Sequence, residues 1–384
     1  MKPTVVLSAF NVANFPEGGG HFWVYMQYAL GLRQLGCDVW WMERFIRGTN
    51  DHRDAATIAT FFDRMEEFGF GGKALLIAAR DRHMPWTESL LVGPSLSEAH
   101  ALMRRTDLLL NFHYAIEPDL LGRFRRTALV DIDPGLFQFW LSRGQLSVPQ
   151  HDRYFTTGET VGEPGSPIPD CGLPWVPIRP CVSLADWDYS FHPERDAMTT
   201  VSAWSSGDWV KDDVVRYENS KRAAFLAFKD LPRHTTQPLE LALFMVTDED
   251  REEQSLMQRL GWRVRPSRLV AGSPDAYRRY IRSSRGEFAC AKRSCMEFQN
   301  AWVSDRTLCY LASGKPAVVQ HTGPSRYLPD ADGLFRFHTI EGAAESLAAM
   351  NADYEHHCRA ARALAEAHFD ARKVTARILE VSLG

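Results

Sequence analysis

The sequence predicts an α/β protein made of two doubly wound units. Three observations carry that expectation. Between Thr4 and Met42 a strand, a glycine loop, a helix and a second strand follow one another, which is how a doubly wound domain opens. The same alternation restarts near Met198. Between the two, residues 156–182 are dense in proline and glycine and lack any period, as befits an ordered connection.

The 384 residues suit two domains of ordinary size, roughly 100–200 residues each. A content of 45% hydrophobic and 24% charged residues is that of a soluble globular chain. The formal net charge of −4 gives no overall field that would draw nucleic acid or an anionic membrane. The densest basic run, Arg278, Arg279, Arg282 and Arg285, reads as the solvated face of a helix. Seven cysteines, an odd count without C-x-x-C spacing, fit a reducing compartment, and a cytoplasmic protein is expected. The residues up to Phe15 read as a first strand rather than a signal peptide, and no apolar run is long enough to span a membrane.

In order, Thr4–Ala9 is a strand, followed by Gly18, Gly19 and Gly20 and by a helix from His21 to Leu35. Gly36 ends that helix and Asp38–Met42 is the second strand. Asp51–Phe68 is a helix, Lys73–Ala79 a strand and Ser97–Arg104 a helix. Thr106–Phe112 and Thr127–Ile132 are buried strands that end at His113 and at Asp133-Pro134-Gly135. In the second unit Met198–Ser205 is a strand, Tyr217–Phe228 an amphipathic helix and Leu239–Met245 a strand. Asp250–Leu260 is a helix, Arg263–Val270 holds a short strand, Asp275–Ser283 is a helix and Gly286–Ala291 a strand ending at Lys292. Three helical segments, 341–350, 352–368 and 370–383, close the chain. The expected division is 1–185, with 155–185 as an ordered interdomain segment, then 186–368, then a terminal helix over 369–384.

Ser304–Thr322 is the most informative stretch. Ser304 is an N-cap and Asp305 complements the positive end of the helix. Leu308, Leu311 and Ala312 share a face, Gly314 and Pro316 stop the helix, and Pro316–Val319 is a buried strand. In open α/β sheets ligands bind beyond the carboxyl ends of such strands, so His321, Thr322 and Gly323 stand where a ligand would.

The run LASGKPAVVQHTG resembles the donor-binding half of GT-B glycosyltransferases, of the kind found in families 1 and 4. YFTTGETVG and CGLPWVPIRPCVSL are similar to the interdomain segment of a bacterial branch of GT-B-like proteins. The resemblance implies two Rossmann-like domains facing a cleft and a C-terminal helix crossing back to the N-terminal domain. It implies a nucleotide-sugar donor, a UDP-sugar first of all, bound by the C-terminal domain without a metal. The acceptor would be a saccharide, a small natural product or a modified nucleobase.

Sugar transfer needs positive charge on the leaving diphosphate, a positioned nucleotide and, in inverting enzymes, a base for the acceptor hydroxyl. Lys292, Arg306 and Lys221 are the candidate cations. By resemblance Asp305 holds the donor ribose, where the family more often has Glu, and Thr322 and Gly323 touch the donor. The resemblance also offers His21, after the glycine loop, as a base, and His113 as a residue near the donor sugar. Gly18–Gly20 would let a ligand approach the backbone. Asp131-Ile132-Asp133 spells the D-x-D of metal-dependent transferases, but its place in the N-terminal half makes a turn, or an orienting role for Asp133, the preferred reading. The competing function is a non-catalytic nucleotide-sugar-binding protein, or an epimerase, on the same fold. A dehydrogenase is disfavoured because no complete dinucleotide fingerprint occurs.

Overall fold

The computed structural model describes every residue except Met1, Ser206, Asp208, Asp213, Val214 and Val246, and for 209–212 and 215–217 the backbone alone. Sixteen strands are present among the described residues. The first eight are β1 (Thr4–Ser8), β2 (Asp38–Ile46), β3 (Ala74–Ala79), β4 (Leu90–Val92), β5 (Leu108–Asn111), β6 (Thr127–Asp131), β7 (Arg153–Thr156) and β8 (Trp175–Pro177). They form one sheet in the order β4-β3-β2-β1-β5-β6-β7-β8, parallel except for β4. β3, β5 and β6 are buried at every position, which is why their sequences are continuous apolar runs rather than alternating ones.

The remaining strands are β9 (Met198–Ala203), β10 (Trp209–Asp212), β11 (Val215–Glu218), β12 (Leu239–Phe244), β13 (Arg263–Pro266), β14 (Gly286–Ala289), β15 (Ala317–Gln320) and β16 (Leu334–Phe337). Six of them make a second, fully parallel sheet in the order β13-β12-β9-β14-β15-β16, while β10 and β11 pair as a hairpin. Each large sheet reverses its strand order once, between β1 and β5 and between β9 and β14. Such reversals open a crevice at the carboxyl ends of the strands.

The helix Gly19–Gln34 has no charged residue before Arg33 and buries eleven of its sixteen residues. A helix apolar on all sides must be covered on all sides, and this one lies between the two units. Trp23 Nε1 donates to Pro274 O at 2.9 Å, and Gln27 Oε1 accepts from Ser183 N at 2.7 Å. The terminal helix Ala371–Leu383 crosses back onto it. At Gly31 an added Cβ would stand 2.6 Å from Ala371 O, so the close crossing depends on glycine. Arg153 Nε also donates to Val381 O at 3.1 Å, tying that helix to the first sheet.

The structure amends the expected elements in places. The helix expected over Tyr217–Phe228 is the end of β11 followed by a shorter helix, Lys221–Ala227. Asn219 interrupts them, its side chain engaged by Ser294 N at 2.9 Å. β13 stops at Pro266, which lacks the N–H that pairing needs, and Ser267–Val270 is a helical turn. The segment after residue 155 contributes β8 to the first sheet, and Trp175 packs on the rings of Phe137 and Tyr154 at 5.8 and 5.7 Å.

Candidate functional site

The carboxyl ends of the two sheets face each other, and a few contacts cross the gap. Phe15, after β1, meets Phe244, at the end of β12, with ring centroids 5.7 Å apart. Lys292 Nζ lies 3.3 Å from Asp133 Oδ2, and Asn300 Nδ2 donates to Pro134 O at 2.6 Å.

At the β9/β14 reversal three cations gather. Lys221 opens the helix that follows the hairpin, and its Nζ lies 5.3 Å over the Trp302 ring. Lys292 follows β14. Arg306 is 6% exposed and pinned, Nε to Glu287 Oε1 at 2.6 Å and Nη1 to Val201 O at 2.8 Å. Burial, then Arg306 and, less strongly, Lys292, push the Lys221 ammonium down to about 7, although Glu287 and Asp305 oppose the shift. Arg306 is therefore not a mobile cation awaiting a phosphate. It is a fixed charge whose field reaches Lys221, because a buried guanidinium needs a carboxylate partner. Beside these groups the Asn219 amide nitrogen and the Ser294 hydroxyl are buried without a hydrogen-bond partner among the described residues.

Asp305 begins the helix Asp305–Ala312, whose cap is Ser304, with Oγ accepting from Arg306 N at 3.3 Å. Burial raises its pKa, against the pull of Arg306, Lys221 and His21. Asp305 thus stands between the cation group and the first unit. His21 is half-buried, and its Nε2 lies 2.7 Å from Phe10 O. Burial lowers its pKa, while Phe10 O and Asp305 act in the opposite sense. His113 stacks on Phe10 with centroids 5.1 Å apart. Burial, then Arg44 and Arg82, hold His113 at about 4, so it is neutral near pH 7.

Three expectations change. Gly18, Gly19 and Gly20 do not open onto a ligand space. Added Cβ atoms there would meet the Phe15 ring at 2.2 Å, Ser273 O at 2.3 Å and the Tyr277 ring at 2.7 Å. Two of the three glycines thus serve the close packing of the first helix on the second unit. Thr322 is 3% exposed; its hydroxyl donates to Trp302 O at 2.7 Å and its carbonyl accepts from Ala301 N at 3.0 Å. It shapes the wall of a narrow cleft shared with Cys290, Trp302 and Gln320. Gly323 has φ +121°, and a Cβ there would lie 2.5 Å from Gln299 O, so its glycine is required by backbone packing. Asp131 is fully buried and bonded to Gln138 Nε2 at 2.7 Å, Thr156 Oγ1 at 2.8 Å, Asp133 N at 2.9 Å and the Tyr114 hydroxyl at 3.2 Å. Its oxygens brace the loop instead of joining Asp133 at a metal. Among the described residues the grouping suited to an ion is Asp332, His356 and His357, none of them a candidate above.

Sequence reasoning missed Glu43, Asn219 and Ser294. Glu43 is 1% exposed and burial raises it to about 7. It accepts from Ala13 N at 2.8 Å and Trp41 Nε1 at 3.1 Å and so anchors the loop after β1. The available signal was a carboxylate in the middle of the strand DVWWMERFI, straight after the apolar VWWM.

The sequence matches no protein-family model and no curated protein. Solved structures do match over nearly the whole chain. An α-glucosyltransferase in complex with UDP superposes with a TM-score of 0.63 at 10% identity, covering 99% of each chain. Alr3699/HepE of Anabaena, in complex with UDP and glucose, gives 0.57 at 11% identity over 99% of each chain. Sucrose-phosphate synthase of Thermosynechococcus elongatus gives 0.55 at 10% identity over 99% of this chain and 98% of that one.

The fold is GT-B.

In this GT-B chain the crossing terminal helix and the two facing strand-order reversals are present together. The cation group occupies the reversal of the second sheet, while His21 and His113 occupy that of the first. No helix among the described residues is long and apolar enough to cross a membrane.

Proposed function

We propose that this protein is a glycosyltransferase that moves a sugar from a nucleotide sugar, a UDP-sugar first of all, to an acceptor hydroxyl. The observation that carries the reading is the Lys221 ammonium, brought down to about 7 by burial and by the neighbouring Arg306 and Lys292. A site where a buried lysine converges with two further cations suits a leaving diphosphate. The UDP named in the α-glucosyltransferase and HepE structures agrees with this chemistry. The chain divides into an acceptor unit over 1–185, a donor unit over 186–368 and the terminal helix over 369–384.

In this reading Lys221 and Lys292 meet the diphosphate, Arg306 supplies a fixed field, and Asn219 Nδ2 and Ser294 Oγ are hydrogen-bond donors to the same group. Asp305 positions the nucleotide at the junction of the units. Thr322 and Gly323 shape the donor wall, and Gly19 and Gly20 set the lobe packing. The cations do the work that a metal does elsewhere, so turnover survives chelation. His21 is the base for the acceptor hydroxyl. With Nε2–H given to Phe10 O, its Nδ1 keeps a lone pair, and Asp305 stabilises the imidazolium that would form. His113, held near 4, is the weaker base and lines the acceptor side. All seven cysteines are unpaired, which goes with a reducing cytoplasm, where the donor would be drawn.

The test is a donor panel of UDP-, GDP-, dTDP- and ADP-sugars with and without EDTA. Release of free nucleotide that EDTA leaves unchanged is the expected result. Tight donor binding with no turnover on any acceptor would point instead to a binding protein.

A further inference from the structure

Beyond the cation group, the first and second units and the terminal crossing enclose a cavity of about 300 Å³, a size at the lower end for small-molecule sites. Its apolar surface comes from Ile178, Val303, Leu328, Phe369 and Val374, all buried. Its charged groups are Arg179, Arg326, Lys373 and Arg377 against Glu159 and Glu163. The two carboxylates are engaged within the wall. Glu159 accepts from Ser325 Oγ and Arg326 N, each at 2.7 Å, and Glu163 pairs with Arg326 at 2.9 Å. Arg377 turns to Glu380 at 2.8 Å. Two lining cations are only loosely paired. Arg179 is packed at 3.4 Å over the Tyr327 ring and forms a long ion pair with Glu159 at 4.0 Å. Lys373 Nζ bonds to a neutral carbonyl, Glu366 O, at 2.7 Å.

An apolar floor beneath a pair of undercompensated cations selects for a ligand with the opposite halves. We propose that this cavity binds a small organic anion, an apolar body bearing one phosphate or carboxylate, with Arg179 and Lys373 on its charged end. Its walls come from five parts of the chain: the loop after β7, the segment at and after β8, the residues before the helix Asp305–Ala312, the loop after β15, and the start of the terminal helix with the residues leading into it. A ligand here ties the two units together. His368, on the same wall, is pushed down by burial, then by Arg179 and Lys373, which favours its neutral form. The site is separate from the cation group proposed for the donor and stands whether or not that reading does.

The experiment is calorimetric titration of the full chain, in the presence of UDP, with phenyl phosphate, phenylacetate and, as the neutral control, benzyl alcohol. One equivalent of at least one anion is expected to bind and to raise the melting temperature, with no binding of the alcohol. The arm that binds tells phosphate from carboxylate. Lys373→Gln, at an exposed position, should weaken binding roughly fivefold and Arg179→Gln roughly tenfold or more. Lys221→Gln should leave it unchanged. Absence of saturable binding of either anion up to about 10 mM, equal binding of the alcohol, or undiminished binding by Lys373→Gln would each overturn the proposal. Because Lys373 lies on the surface, that variant decides the matter even if Arg179→Gln does not fold.

Discussion

Lys292 and Asp133, 159 positions apart in the chain, meet across the gap between the two sheets with Nζ 3.3 Å from Oδ2. The pair joins the end of β14 to the turn after β6, so one carboxylate of the first unit competes for a cation of the second. A diphosphate arriving at Lys292 must share it with Asp133. Asp133→Asn is therefore expected to tighten UDP binding about two- to fivefold, the effect of a partly exposed ion pair worth ~0.5–1 kcal/mol. Titration calorimetry of UDP checks this. Unchanged affinity together with lost turnover would mean that Asp133 acts on the acceptor instead.

Lys221 gives a pH dependence with a definite sign. In the free protein its ammonium titrates near 7. A bound diphosphate favours the charged form and raises that value. Binding then takes up a proton, and UDP affinity is expected to fall as pH rises from 7 towards the higher value of the complex. Below pH 7 the lysine is already charged and affinity levels off. Lys221→Gln should weaken UDP roughly tenfold, ~1.4 kcal/mol, and abolish the pH slope. Calorimetry in buffers of differing ionisation enthalpy measures the proton directly, and zero uptake would remove Lys221 from the phosphate.

The two histidines should separate. His21→Ala is expected to lower turnover by about 10²-fold or more while UDP binding persists, as for the loss of a positioned base. His113→Ala should change turnover less and raise the acceptor KM, because a group held near 4 is a poor base at neutral pH. Steady-state kinetics of both variants decides, and the reverse pattern would exchange the roles.

Arg306 should report on stability before it reports on binding. Its guanidinium is locked to Glu287, which is fully buried. Removing one partner of such a pair leaves the other charged and unpaired, at a cost of roughly 3–5 kcal/mol. Arg306→Met is thus expected to lower the denaturation midpoint sharply, with Glu287→Gln in the same direction. A variant of full stability that merely loses UDP would show that the arginine faces the ligand after all.

Much of the architecture was legible in the sequence because burial on both faces of a parallel sheet leaves a plain mark. LLLN and TALVD carry their apolar residues consecutively rather than in alternation, and the helix Gly19–Gln34 lacks charge until its last turn. The edges left no such mark. β4 and β8 have three residues each, too short for a period, and Asn219 ended β11 through a side-chain bond to Ser294, 75 positions away.

By itself the sequence determined the alternation of strand and helix, its restart in a second unit and the chemical inventory of the strand ends, because local period and turn residues act over a few positions. Only the tertiary structure decided which of those polar groups were already committed. Asp131 and Thr322 spend their hydrogen bonds on neighbouring loops, Arg306 on Glu287, and Gly19 and Gly20 on the approach of Ser273 and Tyr277. Those partners lie far along the chain, and a side chain's freedom to meet a ligand depends on partners that only folding brings near.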